Sequence, residues 1–191
     1  MTLRELLIIN RSYRRFYQEV KIIGDQLKDM VENVRFTPSA ANKQPLKFIL
    51  VTDESMNRQI FPHLRWAAYL TEWDGPEEGE RPSAYIVMLG KRNESPNIDA
   101  DYGIAMQTIL LSAVEKGYGG CLIGSVDKEK IRRLLDIPEE LEISVIIALG
   151  KPKEQVVIDE VKGDDIKYWR DDRQVHHVPK RSLEDLILKL V

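Results

Sequence analysis

Three short runs of apolar, mostly β-branched residues constrain the fold of this chain more than any other feature. Each run ends near an aspartate or a glycine, and the runs are Phe48–Val51, Tyr85–Leu89 and Ile143–Leu149. Short, nearly continuous apolar runs are typical of strands that are buried on both faces of a sheet. The sequence therefore predicts a central sheet that is covered on both sides.

Helical patterns alternate with these strands. The longest, Asp101–Lys116, is apolar around most of its girth, which predicts a helix buried in the core or at a subunit interface. Gly117 is suited to the left-handed residue that follows a helix. Further helices are expected at Leu3–Ile9, at Gln26–Asn33 and after an N-cap at Asp127. This alternation predicts an α/β or α+β class.

The pattern changes after Gly150. Val156–Ile158 and Val175–Val178 read as short extended pieces, and Ser182–Leu190 reads as a closing helix. We expect a single domain over residues 1–191, since domains commonly have about 100–200 residues. Its C-terminal extension, residues 151–191, has no core of its own, so it is expected to wrap another surface such as a second subunit.

Charge and composition exclude several classes of partner. The 191 residues include 28 Lys and Arg against 31 Asp and Glu, for a net charge of -3, whereas nucleic-acid-binding domains usually have a strong basic bias. The single cysteine, Cys121, permits neither an internal disulfide nor a cysteine-based zinc site. No apolar stretch approaches a membrane span. We therefore expect a cytoplasmic protein with no nucleic-acid or membrane partner.

Hydrolytic, metal and dinucleotide motifs are absent from the sequence. His176 and His177 are adjacent and would point to opposite faces of a strand, so they are poorly placed to share a metal. The Gly-rich turn Gly117–Gly124 has Leu122 where a GxGxxG motif needs its last glycine, and it follows a helix rather than a strand. We expect no metal site, no catalytic dyad and no Rossmann site.

The segment Asn10–Phe16 is the first positive signal. Three guanidinium groups and a hydroxyl fall within five positions next to a helix end, from Arg11, Arg14, Arg15 and Ser12. Guanidinium groups match phosphate oxygens, and a serine hydroxyl adds a short-range donor. The alternative is a basic loop that is merely exposed to solvent.

The segment Phe36–Pro45 is the second signal. Two prolines bracket small and amide residues directly before a buried strand. Small side chains let a flat ligand approach the backbone, and the amides of Asn42 and Gln44 can donate and accept at the edge of a heterocycle. The alternative is a rigid turn that leads into the strand.

Together the two segments resemble the FMN-dependent nitroreductase family. The resemblance rests on Arg11-Ser12-x-Arg14, followed by Pro38-Ser39-Ala40-x-Asn42-x-Gln44-Pro45. It continues through the buried helix and the Gly-rich turn to Gly150-Lys151-Pro152. It implies an α+β sandwich with a mostly antiparallel sheet, an intertwined homodimer, and two FMN sites between the subunits.

The resemblance also implies the roles of particular residues. Arg11, Ser12 and Arg14 would hold the phosphate and ribityl chain, and Arg14 would also approach the pyrimidine end. The backbone of Ile123 and Gly124 would approach flavin N5. Further FMN contacts, partly from the partner chain, are implied for Pro38, Ser39, Ala40, Asn42 and Gln44. Lys180 and Arg181 are candidates for a C-terminal phosphate ligand, with Arg170 and Arg173 as rivals.

Two positions depart from the family pattern. Asn10 stands where the family often has an arginine, and Arg11 or Arg15 would have to compensate. The stretch near N5, usually Ile-Glu-Gly, reads Leu122-Ile123-Gly124 and has no acidic side chain. Separately, Trp66, Tyr69 and Trp73 would either line the flavin face or pack in the core.

The activity that the resemblance implies is a ping-pong hydride transfer. NAD(P)H would donate to FMN N5, and an electron-poor acceptor such as a nitroaromatic, a quinone or an enone would be reduced. The flavin would carry the chemistry, so no dedicated acid–base residue is required. Two alternatives are an FMN carrier, sensor or flavin-consuming protein without general reductase activity, and an interaction module that has lost the cofactor.

Overall fold

A five-stranded antiparallel sheet forms the centre of the molecule in the computed structural model, which describes residues 1–91 and 97–191. β5 is the central strand, with β3 and then β2 on one side and both β4 and β1 along its other edge. The strands are β1 (Phe16–Tyr17), β2 (Leu46–Val51), β3 (Ala84–Gly90), β4 (Gly119–Ile123) and β5 (Glu142–Pro152). The predicted antiparallel sheet is confirmed.

Helices cover both faces of this sheet. Along β3, Ile86 and Met88 point to one face and Tyr85 and Val87 to the other, because alternate strand residues face opposite sides. The first face packs against α2 (Gly24–Glu32) and α4 (Ile98–Glu115), and the second against α3 (Glu54–Ile60) and α5 (Lys128–Leu134). The class is α+β, as the resemblance implied.

The predicted helix signals agree closely with the structure. α1 spans Leu3–Ile9, and the Asp127 carboxylate accepts the amide of Lys130 at the start of α5. α4 begins three residues before its predicted start, and Gly117 follows it with a φ of 76°. None of the helices in the described part of the chain is long and apolar enough to span a bilayer.

Two predicted elements are wrong. The Gly-rich segment read as a turn contains the strand β4, whose glycines hid the signal because glycine has a low strand propensity. The closing helix predicted over Ser182–Leu190 is only the four-residue α6 (Leu183–Leu186), although Ser182 does cap it. A helix of four residues has little intrinsic stability. None of its side chains is buried, so no tertiary packing stabilises a longer helix here.

A small sheet follows the main one in the described chain. β6 (Val156–Glu160) and β8 (His176–Lys180) pair in parallel, and β7 (Trp169–Arg170) adds to β8. This sheet folds back on its own chain and brings His176 next to Arg14. Residues 183, 186–188 and 190–191 expose apolar side chains. That the extension reaches a second subunit stays a prediction.

Candidate functional site

A cavity of about 290 Å³ lies between the start of the chain and the small sheet. We call it the basic pocket. None of the described residues that line it is acidic, so an anion placed there would meet neutral and positive side chains among them. It is lined by Asn10, Arg11, Ser12, Arg14, Gln107, Leu110, Leu122, Tyr168, His176, Val178 and Lys180.

Two glycines in β4 let the loop of residues 10–14 lie against the sheet. Ser12 forms a parallel bridge with Gly120, and the amide of Tyr13 donates to the Gly120 carbonyl at 3.0 Å. A Cβ on Gly119 would lie only 2.5 Å from the Tyr13 ring, and one on Gly120 only 2.3 Å from the carbonyl oxygen of Ala148. The close approach of the loop therefore requires glycine at position 119, whereas Gly120 is required by the close pairing of β4 with β5.

Arg11 reaches the basic pocket from the end of α1. Its Nη2 donates to the Leu7 carbonyl at 2.7 Å, while its buried Nε has no hydrogen-bond partner among the described residues. Burial lowers the pKa of Arg11, although the group stays charged at neutral pH. An unsatisfied buried N–H is costly, so an anionic oxygen beside Arg11 would satisfy the group.

Arg14 lies between the pocket and the small sheet. Its Nη1 is 3.3 Å from Nε2 of His176 and 3.2 Å from the Ser12 carbonyl, and its guanidinium carbon is 4.9 Å from the centre of the Tyr168 ring. An arginine can only donate, so Nε2 accepts and the imidazole proton resides on Nδ1. The Arg14 guanidinium thus contacts neutral groups, and the described residues give it no ion pair with a carboxylate.

His176 is fully buried and is neutral at ordinary pH. Its pKa is lowered to about 4, first by burial and then by electrostatic interactions, chiefly with the positive charges of Arg14 and Arg170. Its Nδ1 has no hydrogen-bond partner in the described chain. Sequence reasoning considered His176 only as a metal ligand and missed this contact, because the partners are 162 positions apart.

Arg15 does not share the pocket. Its Nε and Nη2 donate to the two carboxylate oxygens of Glu80 at 2.5 and 2.7 Å, and this pairing holds the pKa of Glu80 at about 2. Lys153 is also 2.9 Å from Glu80. Arg15 is therefore already paired in this arrangement, and Arg11 is the more available cation; compensation for Asn10 by either arginine stays a prediction.

A second cavity, of about 250 Å³, adjoins the basic pocket along β4. We call it the β4 pocket. The two share Arg14, Leu122 and Tyr168, and the β4 pocket adds Ile123, Gly124 and Trp66 among its lining residues. Trp66 is one of the three aromatic residues noted in the sequence. Of the other two, Tyr69 packs on Tyr168 with 4.9 Å between the ring centres. Trp73 packs under Arg170, whose guanidinium carbon is 4.2 Å from the ring centre.

Cys121 also lines the β4 pocket, but it is not a redox thiol in this environment. Burial raises its pKa to about 12, so the thiolate is not formed at neutral pH. Since the thiolate is the reactive form, Cys121 acts as a small apolar side chain.

The second sequence motif lies elsewhere in the same chain. Pro38, Ser39 and Gln44 line a separate cavity of about 310 Å³. The buried carboxylate of Asp101 accepts the Ser39 hydroxyl at 3.2 Å and the Ala40 amide at 2.9 Å. Asn42 belongs to the same turn and accepts from the Gln44 side chain at 3.1 Å. One chain does not bring this motif into the basic pocket.

The C-terminal candidates separate in space. Lys180 lines the basic pocket, and the structure records no ion pair for it among the described residues. Arg181 instead lies 3.6 Å from Asp164. Of the rivals, Arg170 is buried against Glu154 at 3.0 Å, and Arg173 is exposed. Lys180 is thus the C-terminal cation that shares a cavity with Arg11, Ser12 and Arg14.

Comparison with known proteins decides the family. A model of the nitroreductase family matches residues 10–151, which include the Arg11–Arg14 loop, the Pro38–Gln44 turn and β4. The chain belongs to the nitroreductase family. It is 27% identical over 182 residues to an oxygen-insensitive NADPH nitroreductase of Helicobacter pylori, an alignment covering 78% of this chain and 86% of that protein.

Solved structures of nitroreductases share this fold. A nitroreductase family protein from Clostridium novyi NT superposes with a TM-score of 0.67 at 26% identity, over 97% of this chain and 98% of that one. An FMN-dependent nitroreductase from Clostridium difficile gives a TM-score of 0.65 at 21% identity, over 85% and 92% of the two chains. The chain is therefore a member of an oxidoreductase family, with the fold of that family over most of its length.

Proposed function

We propose that this nitroreductase family member is an FMN-dependent oxidoreductase that passes a hydride from NAD(P)H to an electron-poor acceptor. The observation that carries the proposal is the basic pocket, which Arg11, Arg14 and Lys180 line together with no acidic residue from the described parts of the chain. The unpartnered Nε of Arg11 fits an anionic group such as the FMN phosphate. The solved FMN-dependent nitroreductase with the same fold supports the choice of flavin.

The residues of the chain have distinct roles in this proposal. Arg11, Ser12 and Lys180 hold the phosphate end, and Arg14 serves both cavities because it lines each of them. The isoalloxazine ring would occupy the β4 pocket, beside the backbone of Ile123 and Gly124. The positive charge of Arg14 near the pyrimidine end would favour the reduced flavin.

When bound, FMN would supply the redox chemistry: it would accept a hydride from NAD(P)H and reduce the acceptor by two electrons, with the accompanying proton taken from solvent. The chain contributes orientation and electrostatics. No protein acid or base is required for either transfer. Nitroaromatics, quinones and enones are the acceptor class, and the name of the Helicobacter pylori relative supports NADPH as a donor.

We further propose that a second copy of the chain completes the site. The Pro38–Gln44 turn lies outside the basic pocket of its own chain, so Pro38, Ser39, Ala40, Asn42 and Gln44 would reach the flavin of a partner. None of the residues of α1 is buried, and four of its apolar side chains are exposed: Leu3, Leu7, Ile8 and Ile9. Exposed apolar patches of this kind mark interaction surfaces, which supports a homodimer.

Anaerobic half-reactions test this function. The FMN-loaded protein is mixed with NADH or NADPH, and the loss of flavin absorbance is followed. Menadione or a nitrobenzene is then added, and the absorbance should return with one equivalent of acceptor reduced. Parallel lines in a steady-state plot should follow from the two-step cycle. If FMN binds but neither nicotinamide bleaches it, the oxidoreductase proposal is wrong and a carrier or sensor is favoured.

A further inference from the structure

Glu154 is a buried carboxylate that lies directly behind the Arg11–Arg15 loop. Its side chain has no exposure to solvent. One oxygen, Oε1, accepts a hydrogen bond from the backbone amide of Arg14 and another from that of Arg15, the latter at 3.3 Å. The other oxygen, Oε2, accepts Nη2 of Arg170 at 3.0 Å. Glu154 therefore contacts two segments that are remote in sequence.

The ion pair explains why a charged group is tolerated here. A buried carboxylate is strongly disfavoured unless it is paired and hydrogen-bonded. Arg170 supplies the positive charge that pairs with Glu154. The Arg170 side chain is itself only 9% exposed and lies over the Trp73 ring. Glu154 thus fastens the loop to β7 at the end of β5.

This arrangement fixes Arg14 at both ends. Its amide is held by Glu154, and its guanidinium lies beside Nε2 of His176. Both contacts come from the part of the chain beyond residue 152. Glu154 itself is absent from the lining of the basic pocket and of the β4 pocket, so it contacts neither cavity directly.

We propose that Glu154 is a positioning residue that presents Arg14 to the flavin. The inference rests on the proposed function, because it assigns Glu154 an effect on FMN binding that is exerted through Arg14. Glu154→Gln leaves one acceptor oxygen but places an NH2 group against either the loop amides or Arg170. It also leaves the Arg170 charge without its partner. The loop should then lose its fixed position.

A double-mutant cycle on the dissociation constant for FMN tests this. The wild type, Glu154→Gln, Arg14→Ala and the double variant are titrated with FMN by fluorescence quenching. We expect Glu154→Gln to raise the Kd at least tenfold. In the Arg14→Ala background the same change should raise it no more than about twofold, because coupled residues are not additive. Independent, multiplicative effects would overturn the proposal, and so would an unchanged Kd for Glu154→Gln.

Glu80→Gln is the matched control. Glu80 is also a carboxylate bonded to the loop, but it pairs with the side chain of Arg15 and not with the Arg14 amide. Its substitution should change the Kd for FMN by less than about twofold. A loss equal to that of Glu154→Gln would mean that any carboxylate on this loop matters, which contradicts a specific role for Glu154.

Two further measurements keep the proposal testable. If Glu154→Gln does not fold, Glu154→Asp keeps the charge near Arg170 but withdraws it from the amides, and it should show the same non-additivity with Arg14→Ala. In the cofactor-free protein, hydrogen exchange of the Arg14 and Arg15 amides should quicken at least tenfold in Glu154→Asp, and unchanged exchange contradicts the anchoring. A wild type that binds no FMN rejects the proposed function, whereas wild-type binding with an unaffected Glu154→Gln rejects only this inference.

Discussion

Arg11, Arg14 and Arg15 lie within five positions of one another, yet each has a different kind of partner. Arg15 is neutralised by Glu80, Arg14 lies beside a neutral imidazole, and Arg11 keeps a buried N–H without a partner in the described chain. Charge alone does not make an anion site, because a guanidinium paired with a carboxylate is already satisfied. The partners show that Arg11 and Arg14 are the ones available to a ligand.

The buried His176 makes the protein sensitive to acid. Its folded-state pKa of about 4 lies below the ordinary value of 6.5, so the unfolded chain binds a proton more readily between these values. The contribution of His176 to the free energy of unfolding is therefore fully present above pH 6.5 and is lost as the pH falls toward 4. The loss amounts to at most about 3.5 kcal/mol, since each pKa unit corresponds to about 1.4 kcal/mol.

Urea unfolding of the cofactor-free protein at several pH values measures this effect. His176→Gln should flatten the fall in unfolding free energy between pH 6.5 and 4 relative to the wild type. His63→Gln, a change at a partly exposed histidine outside the two pockets, should leave the slope as it is. Equal slopes for the wild type and His176→Gln would contradict the assignment of His176 as a buried neutral base.

At the scale of elements, β4 holds the arginine loop and the two pockets next to the central sheet. It pairs with β5 over five residues, and the loop of residues 10–14 forms a β-bridge with it between Ser12 and Gly120. The strand also contributes Leu122 to both pockets and Ile123 to the β4 pocket. A change in the packing of β4 should therefore disturb the arginine loop and the pockets together.

Gly120→Ala tests this dependence. Its new Cβ would lie 2.3 Å from a backbone oxygen of β5, which cannot move as a side-chain end can. We expect a loss of about 2–3 kcal/mol of stability, or roughly 5–10 °C in the melting temperature. Gly124→Ala is the control, because a Cβ there meets nothing within 4 Å. Equal melting temperatures for the two variants of the cofactor-free protein would contradict this account of β4.

Local patterns predicted the elements whose signals are local. The strands Phe48–Val51, Tyr85–Leu89 and Ile143–Leu149 and the helix Leu3–Ile9 follow from periodicity and capping. β4 was missed because its glycines lower strand propensity, although they are required by close packing. The parallel pairing of β6 with β8, and the contact of His176 with Arg14, join segments far apart in sequence and leave no local pattern to read.

At the scale of the whole molecule, apolar side chains at both ends of the chain are left uncovered. Leu188 and Leu190 are almost completely exposed, and no residue of α1 is fully buried in its own chain. The residues of the Arg11–Arg14 motif could be predicted as one site from the sequence. The Pro38–Gln44 turn could be recognised as a motif, but its distance from that site in one chain depends on the tertiary fold.

Association of two chains through these ends is testable. Leu188→Asp with Leu190→Asp should raise the dimer dissociation constant at least tenfold, because two exposed leucines would otherwise be buried at the interface. Lys189→Asp changes the polar residue between them and should have a much smaller effect. Sedimentation at several concentrations measures both. A wild type that is monomeric throughout would contradict the homodimer, and equal behaviour of the two variants would contradict an interface at these leucines.

The central claim is that the basic pocket and the β4 pocket hold FMN. The most direct measurement is a visible-absorption titration of the cofactor-free protein with FMN, using the wild type, Arg14→Ala and Arg15→Ala. The account predicts shifted flavin bands that saturate near one FMN per chain in the wild type and in Arg15→Ala. Arg14→Ala should bind at least tenfold more weakly, because charge-assisted hydrogen bonds contribute about 1.5–3 kcal/mol. A wild type that does not shift the flavin spectrum, or equal losses in the two variants, would contradict it.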